Sequence, residues 1–194
     1  MLIHASRRSR ESRTSGRDAN ASFEQTFALT VTKAGGGAGT VTSSPAGINC
    51  GADCSESYAR GTAVTLTASP ALGSTFLGWT GCDTVSASTC TVTMSAVRSV
   101  AATFNLQNFA LTVTKSGLGG GTVTSTPAGI NCGSDCSESY SFGTTVTLEA
   151  TPSPLSGFNG WSGCDAVSGT TCTVRIDRVR SVQASFRLLG LLGP

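Results

Sequence analysis

The sequence predicts a mainly β protein: two tandem small β-rich modules, each with two disulfides, after a disordered N-terminal tail. The first observation is an internal repeat, because residues 27–108 align without a gap on residues 109–190 with about two-thirds of the positions identical. The second is an alternation of apolar residues with threonine, which is typical of half-buried strands. The third is the presence of four cysteines in each copy, as expected for a domain too small to be stable through its core alone.

The repeat length indicates how the copies fold. Its 82 residues exceed the ~20–50 residues of solenoid or propeller units, so each copy should bury its own core. We therefore divide the chain into a tail (1–26), a first module (27–105) and a second module (109–187). The linker, residues 105–108, contains no Gly or Pro and is too short for free tumbling, which predicts a semi-rigid pair of modules.

The first part of each module predicts a β-hairpin. Residues 27–33 alternate apolar residues with threonine, and residues 40–44 form a short return strand that Pro45 stops. The glycine-rich residues 35–39 between them suit a tight turn. They do not suit a phosphate cradle, because no Gly-Lys-Ser/Thr and no helical pattern follows.

The rest of the module predicts a cysteine-closed loop and four more strands, about six strands in all. In the loop, Asp53 and Glu56 have capping-box spacing, which predicts one helical turn. Gly, Pro and Asn/Asp residues separate the later strands at the intervals of an all-β or β-rich domain. These four strands are residues 61–68, 75–79, 90–94 and 99–104.

The charge distribution argues against two classes of partner. Residues 1–26 carry a net charge of +2, and the rest of the chain is neutral. A neutral surface offers no basic stripe for nucleic acid or an anionic membrane, and a short tail of mixed charge is typical of disorder. No apolar stretch approaches the ~20 residues of a membrane-spanning helix.

The N-terminus and the cysteines point in different directions. The N-terminal residues contain no apolar run of the ~7–15 residues that a signal peptide needs, whereas disulfides form in an oxidising compartment. We therefore expect an extracellular or cell-surface protein, of which this chain is a fragment or carries a misplaced start.

Six short motifs recur in both copies. They are Gly39-Thr-Val41, Pro45-x-Gly-Ile48, Cys50-Gly-x-Asp-Cys54, Tyr58-x-x-Gly-Thr-x-Val-Thr-Leu66, Phe76-x-Gly-Trp79 and Val100-x-Ala-x-Phe104. Over residues 27–187 they resemble the bacterial extracellular repeat domain related to the internalin B-repeats. The resemblance implies β-grasp-like tandem modules in a secreted or surface protein, where they act as spacers or in adhesion. It implies no catalytic residues.

The cysteines fit disulfides better than zinc. Cys50 and Cys54 have the spacing of a zinc knuckle, but Cys82 and Cys90 lie too far apart for a second one, and neither module contains His. Four cysteines allow three connectivities, and chain entropy alone favours the longer, crossed loops. A turn at Gly51 brings the Cα atoms of the neighbouring cysteines close enough for a disulfide, and this geometry favours local pairs. We predict Cys50–Cys54, Cys82–Cys90, Cys132–Cys136 and Cys164–Cys172.

The aromatic residues are interpreted as core. Phe and Trp three positions apart on a strand point to opposite faces, so they form no flat sugar-binding platform unless Gly78 makes a bulge. Each module contains one Trp, which suits the centre of a small core. The core signature is Tyr58, Phe76 and Trp79, with Tyr140, Phe158 and Trp161 in the second copy; the buried set should also include Leu29, Val31, Val41, Val64, Leu66, Val92, Val100 and Phe104.

The acidic residues give no enzyme signature. Asp53, Glu56 and Asp83 could be hydrolytic carboxylates or calcium ligands, but acidic residues beside cysteines in Gly/Ser-rich loops usually belong to turns and caps. The only His is His4, in the tail, so neither module holds a Ser–His or Cys–His pair. We expect no catalytic residue, no cofactor and no metal.

Two functions from different classes remain. The first is a non-catalytic tandem repeat that acts as spacer or adhesive stalk of a bacterial secreted or surface protein, with a cell-surface protein or a glycan as the expected class of partner. The alternative is a carbohydrate-binding module of a secreted hydrolase whose catalytic part lies elsewhere.

Overall fold

The structure is a computed structural model, and it describes residues 24–190. These residues form sixteen strands in four sheets of four strands each, and none of them is helical. The prediction of two tandem, mainly β modules is confirmed. Of the tail predicted as disordered, residues 1–23 lie outside the described residues, and Thr26 already belongs to the first strand.

The strands of the first module are β1 (Thr26–Ala34), β2 (Gly39–Ser44), β3 (Ser55–Ala59), β4 (Ala63–Pro70), β5 (Ser74–Thr80), β6 (Thr84–Ser86), β7 (Thr89–Thr93) and β8 (Arg98–Leu106). Those of the second are β9 (Asn108–Ser116), β10 (Gly121–Thr126), β11 (Ser137–Ser141), β12 (Thr145–Pro152), β13 (Ser156–Ser162), β14 (Ala166–Ser168), β15 (Thr171–Arg175) and β16 (Arg180–Leu188).

Each module consists of two sheets with different strand directions. The mixed sheet has the order β3-β1-β8-β5, and within it β1 runs parallel to β8 while the outer strands are antiparallel to their neighbours. The antiparallel sheet has the order β2-β4-β7-β6. The second module repeats both, as β11-β9-β16-β13 and β10-β12-β15-β14. Each module is therefore an all-β unit built from two sheets.

The alternating sequence places one apolar face of each sheet in a common core. In β1, Leu29 and Val31 are buried, and in β4 Val64 and Leu66 are fully buried, while the threonines between them are turned outwards or half-exposed. Residues of both sheets belong to one core cluster in each module. The two copies thus hold separate cores, as expected for a repeat of this length.

The predicted hairpin between β1 and β2 is wrong. These strands belong to different sheets, because β1 pairs with β3 and β8 whereas β2 pairs with β4. The glycine-rich segment between them crosses from one sheet to the other over the end of β8. A Cβ at Gly35 or Gly37 would overlap the backbone of Phe104 or Asn105, and the Gly37 amide donates to the Phe104 carbonyl over 2.9 Å. Close backbone approach, not a hairpin turn, explains these glycines.

The cysteine-closed loop also differs from the prediction. No helical turn forms at Asp53; its carboxylate accepts a hydrogen bond from the amide of Ser55 at 3.2 Å, and the chain continues directly into β3. This strand and the three-residue β6 were not predicted, so each module has eight strands where about six were expected. The physical reason is that short polar edge strands carry little apolar alternation.

Within the described residues, no helix is long and apolar enough to cross a membrane.

Candidate functional site

The path of the chain through each module is set by the parallel pair of β1 and β8. Because these neighbouring strands run in the same direction, the chain enters the mixed sheet at one end and leaves at the other. Leu29 of β1 is paired with Arg98 of β8. The first residue of β1 and the last residue of β8 are therefore separated by about eleven residues along the strand direction, or roughly 36 Å. The same register recurs between β9 and β16, where Leu111 is level with Arg180.

The joint between the modules is one residue long. Three of the four predicted linker residues belong to strands, and only Gln107 lies between β8 and β9. Its amide donates to the carbonyl of Gly73 in the first module at 2.9 Å, and its carbonyl accepts from the amide of Phe142 in the second module at 2.8 Å. The backbone of Gln107 therefore holds both modules.

An aromatic contact fills the same joint. The ring of Phe142 lies against Gly73, where φ is +73° and an added Cβ would overlap that ring. Phe109 packs against Phe142 edge-on, with 6.5 Å between the ring centroids. The sequence contained a signal for this joint: the positions equivalent to Gly73 and Phe142 in the other copy are Leu155 and Arg60, so the repeat loses its identity where the modules meet.

The cysteines form four local disulfides: Cys50–Cys54, Cys82–Cys90, Cys132–Cys136 and Cys164–Cys172. No cysteine in the described part of the chain is free, so none offers a thiolate to zinc. In the first module the Cys50–Cys54 bond closes the turn between β2 and β3, and in the second the Cys132–Cys136 bond closes the turn between β10 and β11. The second bond of the first module joins the loop after β5 to β7, and therefore connects the end of the mixed sheet to the antiparallel sheet.

The aromatic residues of the mixed sheet form a cluster on its inner face. The register of β5 against β8 shifts between Phe76 and Gly78, and this bulge turns Phe76 and Trp79 to the same side. Their ring centroids lie 5.4 Å apart, and Phe76 lies 5.5 Å from Phe104. The bulge named as the exception to opposite-facing rings is therefore present, and the face that the two rings share is the core and not a flat external platform.

Burial within this cluster differs from the prediction in three places. Trp79 is buried, with 9% of its surface exposed, and Phe104 is fully buried. Phe76 is only half-buried, as are its counterpart Phe158 and the second tryptophan, Trp161. These side chains cover the rim of the core at the edge strand of the mixed sheet, where no further strand shields them.

The signature tyrosine connects the core to the cysteine loop. Tyr58 is buried, and its hydroxyl lies 2.7 Å from that of Ser43 and 3.3 Å from the carbonyl of Pro45, to which it donates. The Ser43 hydroxyl accepts a hydrogen bond from the amide of Ile48 at 2.9 Å. Tyr140 makes the same contacts in the second module. A buried polar network of this kind fixes the loop conformation.

The candidate carboxylates are occupied by hydrogen bonds to backbone amides and to an arginine. Asp53 and Glu56 accept hydrogen bonds from nearby backbone amides. Asp83 accepts from the amide of Thr93 at 2.6 Å and from the guanidinium of Arg98 at 2.7 Å, and these bonds, the first above all, lower its pKa below the ordinary 3.8. Among residues 24–190, no group of three His, Cys, Asp or Glu side chains could hold a metal ion.

The second module contains two further carboxyls with a lowered pKa. In Asp165, the guanidinium of Arg180 is the main cause, followed by the amide of Arg175. In Glu149, the cause is hydrogen bonding from the hydroxyls of Thr170 and Thr171. Asp165 is the equivalent of Asp83 in the second copy, whereas Glu149 stands where the first copy has Thr67.

A shallow depression lies over the glycine-rich crossing of the second module. It has a volume of about 170 Å³ and is lined by Lys115, the glycines of residues 117–121 and Phe186. The ammonium group of Lys115 already donates to the carbonyl of Gly121 at 3.0 Å. Pockets for drug-sized ligands hold about 300–1,000 Å³, so this depression is too small for one.

These features define a tandem pair of two-sheet β modules, disulfide-bonded and joined end to end. Residues 29–108 and 111–189 each match the divergent InlB B-repeat domain, and the chain belongs to this family. The resemblance inferred from the motifs is confirmed. Comparison with curated proteins gave no match.

Solved structures of bacterial proteins show weaker similarity. The Bacillus anthracis TIE protein has a TM-score of 0.48 at 9% identity, over 84% of this chain and 34% of that one. The C-terminal fragment of the pilus adhesin SpaC from Lactobacillus rhamnosus GG has a TM-score of 0.41 at 10% identity, over 88% of this chain and 100% of that one. The chain thus spans about a third of the TIE structure.

Proposed function

We propose that the two modules act as a non-catalytic spacer, an adhesive stalk segment of a bacterial secreted or surface protein. The observation that carries the proposal is the parallel arrangement of β1 and β8, which separates the entry and exit of the chain by roughly 36 Å in each module. Copies connected in this way add length with every repeat. The short joint at Gln107, bonded to both modules, limits bending between them.

The disulfides support an extracellular location. Four disulfides within two small domains are typical of proteins that fold in an oxidising environment, and rare in the cytosol. Membership of a repeat-domain family supports the same assignment. The class of partner that we propose for an adhesive stalk is a cell-surface protein or a glycan.

A structural role agrees with the chemistry of the described side chains. The carboxylates accept hydrogen bonds from backbone amides, hydroxyls or arginines, and do not face one another across a cleft. The modules contain no His, because His4 is the only one in the sequence. The acid–base pairs that most hydrolases use therefore have no counterpart among these residues.

Small-angle X-ray scattering of residues 24–190 tests the spacer. Two modules of this size joined end to end predict a radius of gyration of about 22 Å, whereas a compact globule of the same length would have about 15 Å. A single module, residues 24–107, serves as the control and should give about 12 Å. A value near 15 Å for the pair would show that the modules pack side by side, and the spacer function would then be wrong.

A glycan array distinguishes the carbohydrate-binding alternative. Because Trp79 is buried and packs against Phe76, it offers no exposed face to a sugar. We expect no binding that depends on Trp79. Reproducible binding that Trp79→Ala abolishes, in a variant that stays folded, would support a carbohydrate-binding module in place of a spacer.

A further inference from the structure

The strands that carry the two chain ends of a module are hydrogen-bonded to each other. In the first module β1 and β8 form six consecutive parallel pairs, from Leu29 with Arg98 to Ala34 with Thr103. In the second, β9 and β16 form the same six, from Leu111 with Arg180 to Ser116 with Ser185. A stalk is under tension along the chain, so this pair is the first part of each module that a pulling force meets.

The direction of that force follows from the parallel arrangement. Tension pulls the start of β1 towards one end of the sheet and the end of β8 towards the other, so the two strands are pushed past each other along their length. The hydrogen bonds of the ladder lie across this direction and are loaded together. The hydrogen bonds must therefore break together. They would break one after another only if the two strands were pulled apart from the same end.

The neighbouring strands prevent the loaded strands from peeling away. Both β1 and β8 are inner strands of the mixed sheet, since β3 covers the free edge of β1 and β5 that of β8. Side chains on the inner face of the pair are almost completely buried, among them Val31, Val100 and Phe104. The hydroxyl of Thr32 adds a cross-strand hydrogen bond to the carbonyl of Val100 at 3.3 Å, and Thr114 repeats it to Val182 at 3.2 Å.

The two modules are loaded in series. Because only Gln107 separates β8 from β9, the force that leaves the first parallel pair enters the second directly. Each module also has an ion pair beside the start of its exit strand, in which Arg98 contacts Asp83 and Arg180 contacts Asp165, both at 2.7 Å.

We propose that the parallel pair of terminal strands is a mechanical clamp, which makes each module resistant to unfolding by end-to-end tension. This inference rests on the proposed stalk function, since only a chain under tension loads the clamp. It adds a specific property: resistance depends on the direction of pulling, and is highest along the line from the start of β1 to the end of β8.

Single-molecule force spectroscopy on oxidised residues 24–190, with handles at the two ends, tests the clamp. Each module should unfold in one event that releases roughly 210 Å of chain, because the two local disulfides keep their loops closed. Two events of equal length are expected. The unfolding force reports the barrier along the pulled direction, since forced unfolding is governed by the unfolding rate.

The matched control uses the same folded protein with handles at Gln25 and Arg60. These residues are neighbours at one end of the antiparallel β1–β3 pair, and the amide of Arg60 donates to the carbonyl of Gln25 at 2.8 Å. Pulling there opens the pair one hydrogen bond at a time. At equal loading rate, we expect the end-to-end unfolding force to be severalfold higher than the force at this pair of residues.

An end-to-end force equal to or below that of the control would overturn the clamp. The spacer function would survive such a result, because it depends on the length of the molecule in scattering and not on its strength. Conversely, a compact pair in scattering with a high end-to-end force would reject the spacer and leave the clamp as a property of the fold.

Discussion

The two tryptophans occupy equivalent positions but have different surroundings. Nε1 of Trp161 donates to the carbonyl of Thr170 at 3.0 Å. Nε1 of Trp79 is buried and has no hydrogen-bond partner among the described residues. The contribution of Trp79 to stability therefore comes from its packed ring and not from its polar atom, since an unsatisfied buried donor costs free energy.

We predict that Trp79→Ala largely unfolds the first module. Removing a buried Trp costs ~3–5 kcal/mol, and a domain this small has only about 5 kcal/mol of stability. Unfolding in guanidinium, followed by the fluorescence of the remaining Trp161, should show the second module almost unchanged because distant sites act additively. Unchanged thermal stability together with a solvent-exposed indole in the wild-type protein would contradict the core assignment.

A second residue-scale prediction concerns the ion pairs beside the exit strands. The pKa values of Asp83 and Asp165 are lowered in the folded protein, so their ionised forms stabilise the fold. This stabilisation is fully present above the unfolded pKa, near 3.8, and is lost as the pH falls through the lower folded pKa. The double variant Asp83→Asn/Asp165→Asn should therefore lower Tm at neutral pH and have a Tm that changes less below about pH 4.

Differential scanning calorimetry across this pH range measures both effects. Asp53→Asn is the matched control, because that carboxylate contacts one backbone amide and no arginine. A double variant whose Tm falls with pH as steeply as that of the wild type would show that other groups dominate the acid response.

At the scale of single elements, the sequence predicted most strands but not all of their partners. The alternation in residues 61–68 is strong enough to locate β4 and its buried face, because every second side chain enters the core. The same kind of pattern in residues 27–33 located β1 but suggested the wrong neighbour. Alternation fixes which face of a strand is buried; it does not encode which strand lies beside it, and a glycine-rich segment suits a sheet-to-sheet crossing as well as a hairpin.

The pairing of the disulfides, unlike the pairing of the strands, could be predicted from local geometry. Their predicted pairing rested on turn geometry at Cys50-Gly-x-Asp-Cys54, and the structure has the Cα atoms of Cys50 and Cys54 only 4.2 Å apart. A bulge at Gly78 was the exception that the sequence allowed, and the register of β5 shifts between Phe76 and Gly78. Local geometry of this kind is predictable because it depends on a few neighbouring residues. The burial of Phe76 was overestimated since it depends on the position of β5 at a sheet edge.

The joint between the modules gives an element-scale prediction. Gly73→Ala should loosen it, because the new Cβ would overlap the ring of Phe142. NMR relaxation should show the two modules tumbling more independently, with a shorter rotational correlation time for each. Each module should remain folded.

Gly61→Ala is the matched control for this experiment. Gly61 has a similar positive φ of 84°, but an added Cβ there meets no atom within 4 Å. Both substitutions carry the backbone strain of a non-glycine residue at positive φ, and only Gly73→Ala disturbs the joint. Equal correlation times in the two variants would show that Phe142 does not hold the modules together.

At the scale of the whole molecule, the repeat was the most informative part of the sequence. An ungapped duplication predicted two separate cores, and the structure has a distinct core cluster in each copy. What the repeat could not predict is the contact between copies, because an interface between unlike ends lies where the copies differ. Gly73 and Phe142, which meet at the joint, are two such differences, because their equivalents in the other copy are Leu155 and Arg60.

The separate cores lead to a prediction about independent folding. The second module has its own core and both of its disulfides, and its contacts with the first module centre on Gln107 and Phe142. Residues 107–190 alone should therefore fold cooperatively under oxidising conditions. Circular dichroism should give a single thermal transition, and the denaturant m-value should equal that of residues 24–107, because m scales with the surface exposed on unfolding and the two modules are of equal size. Residues 24–107 provide the matching single module, and Tm of the isolated second module should fall slightly because the face of Phe142 that Gly73 covers becomes exposed.

If residues 107–190 remain unfolded while residues 24–190 fold, the two copies depend on each other for stability, and a stalk built from independent modules is excluded.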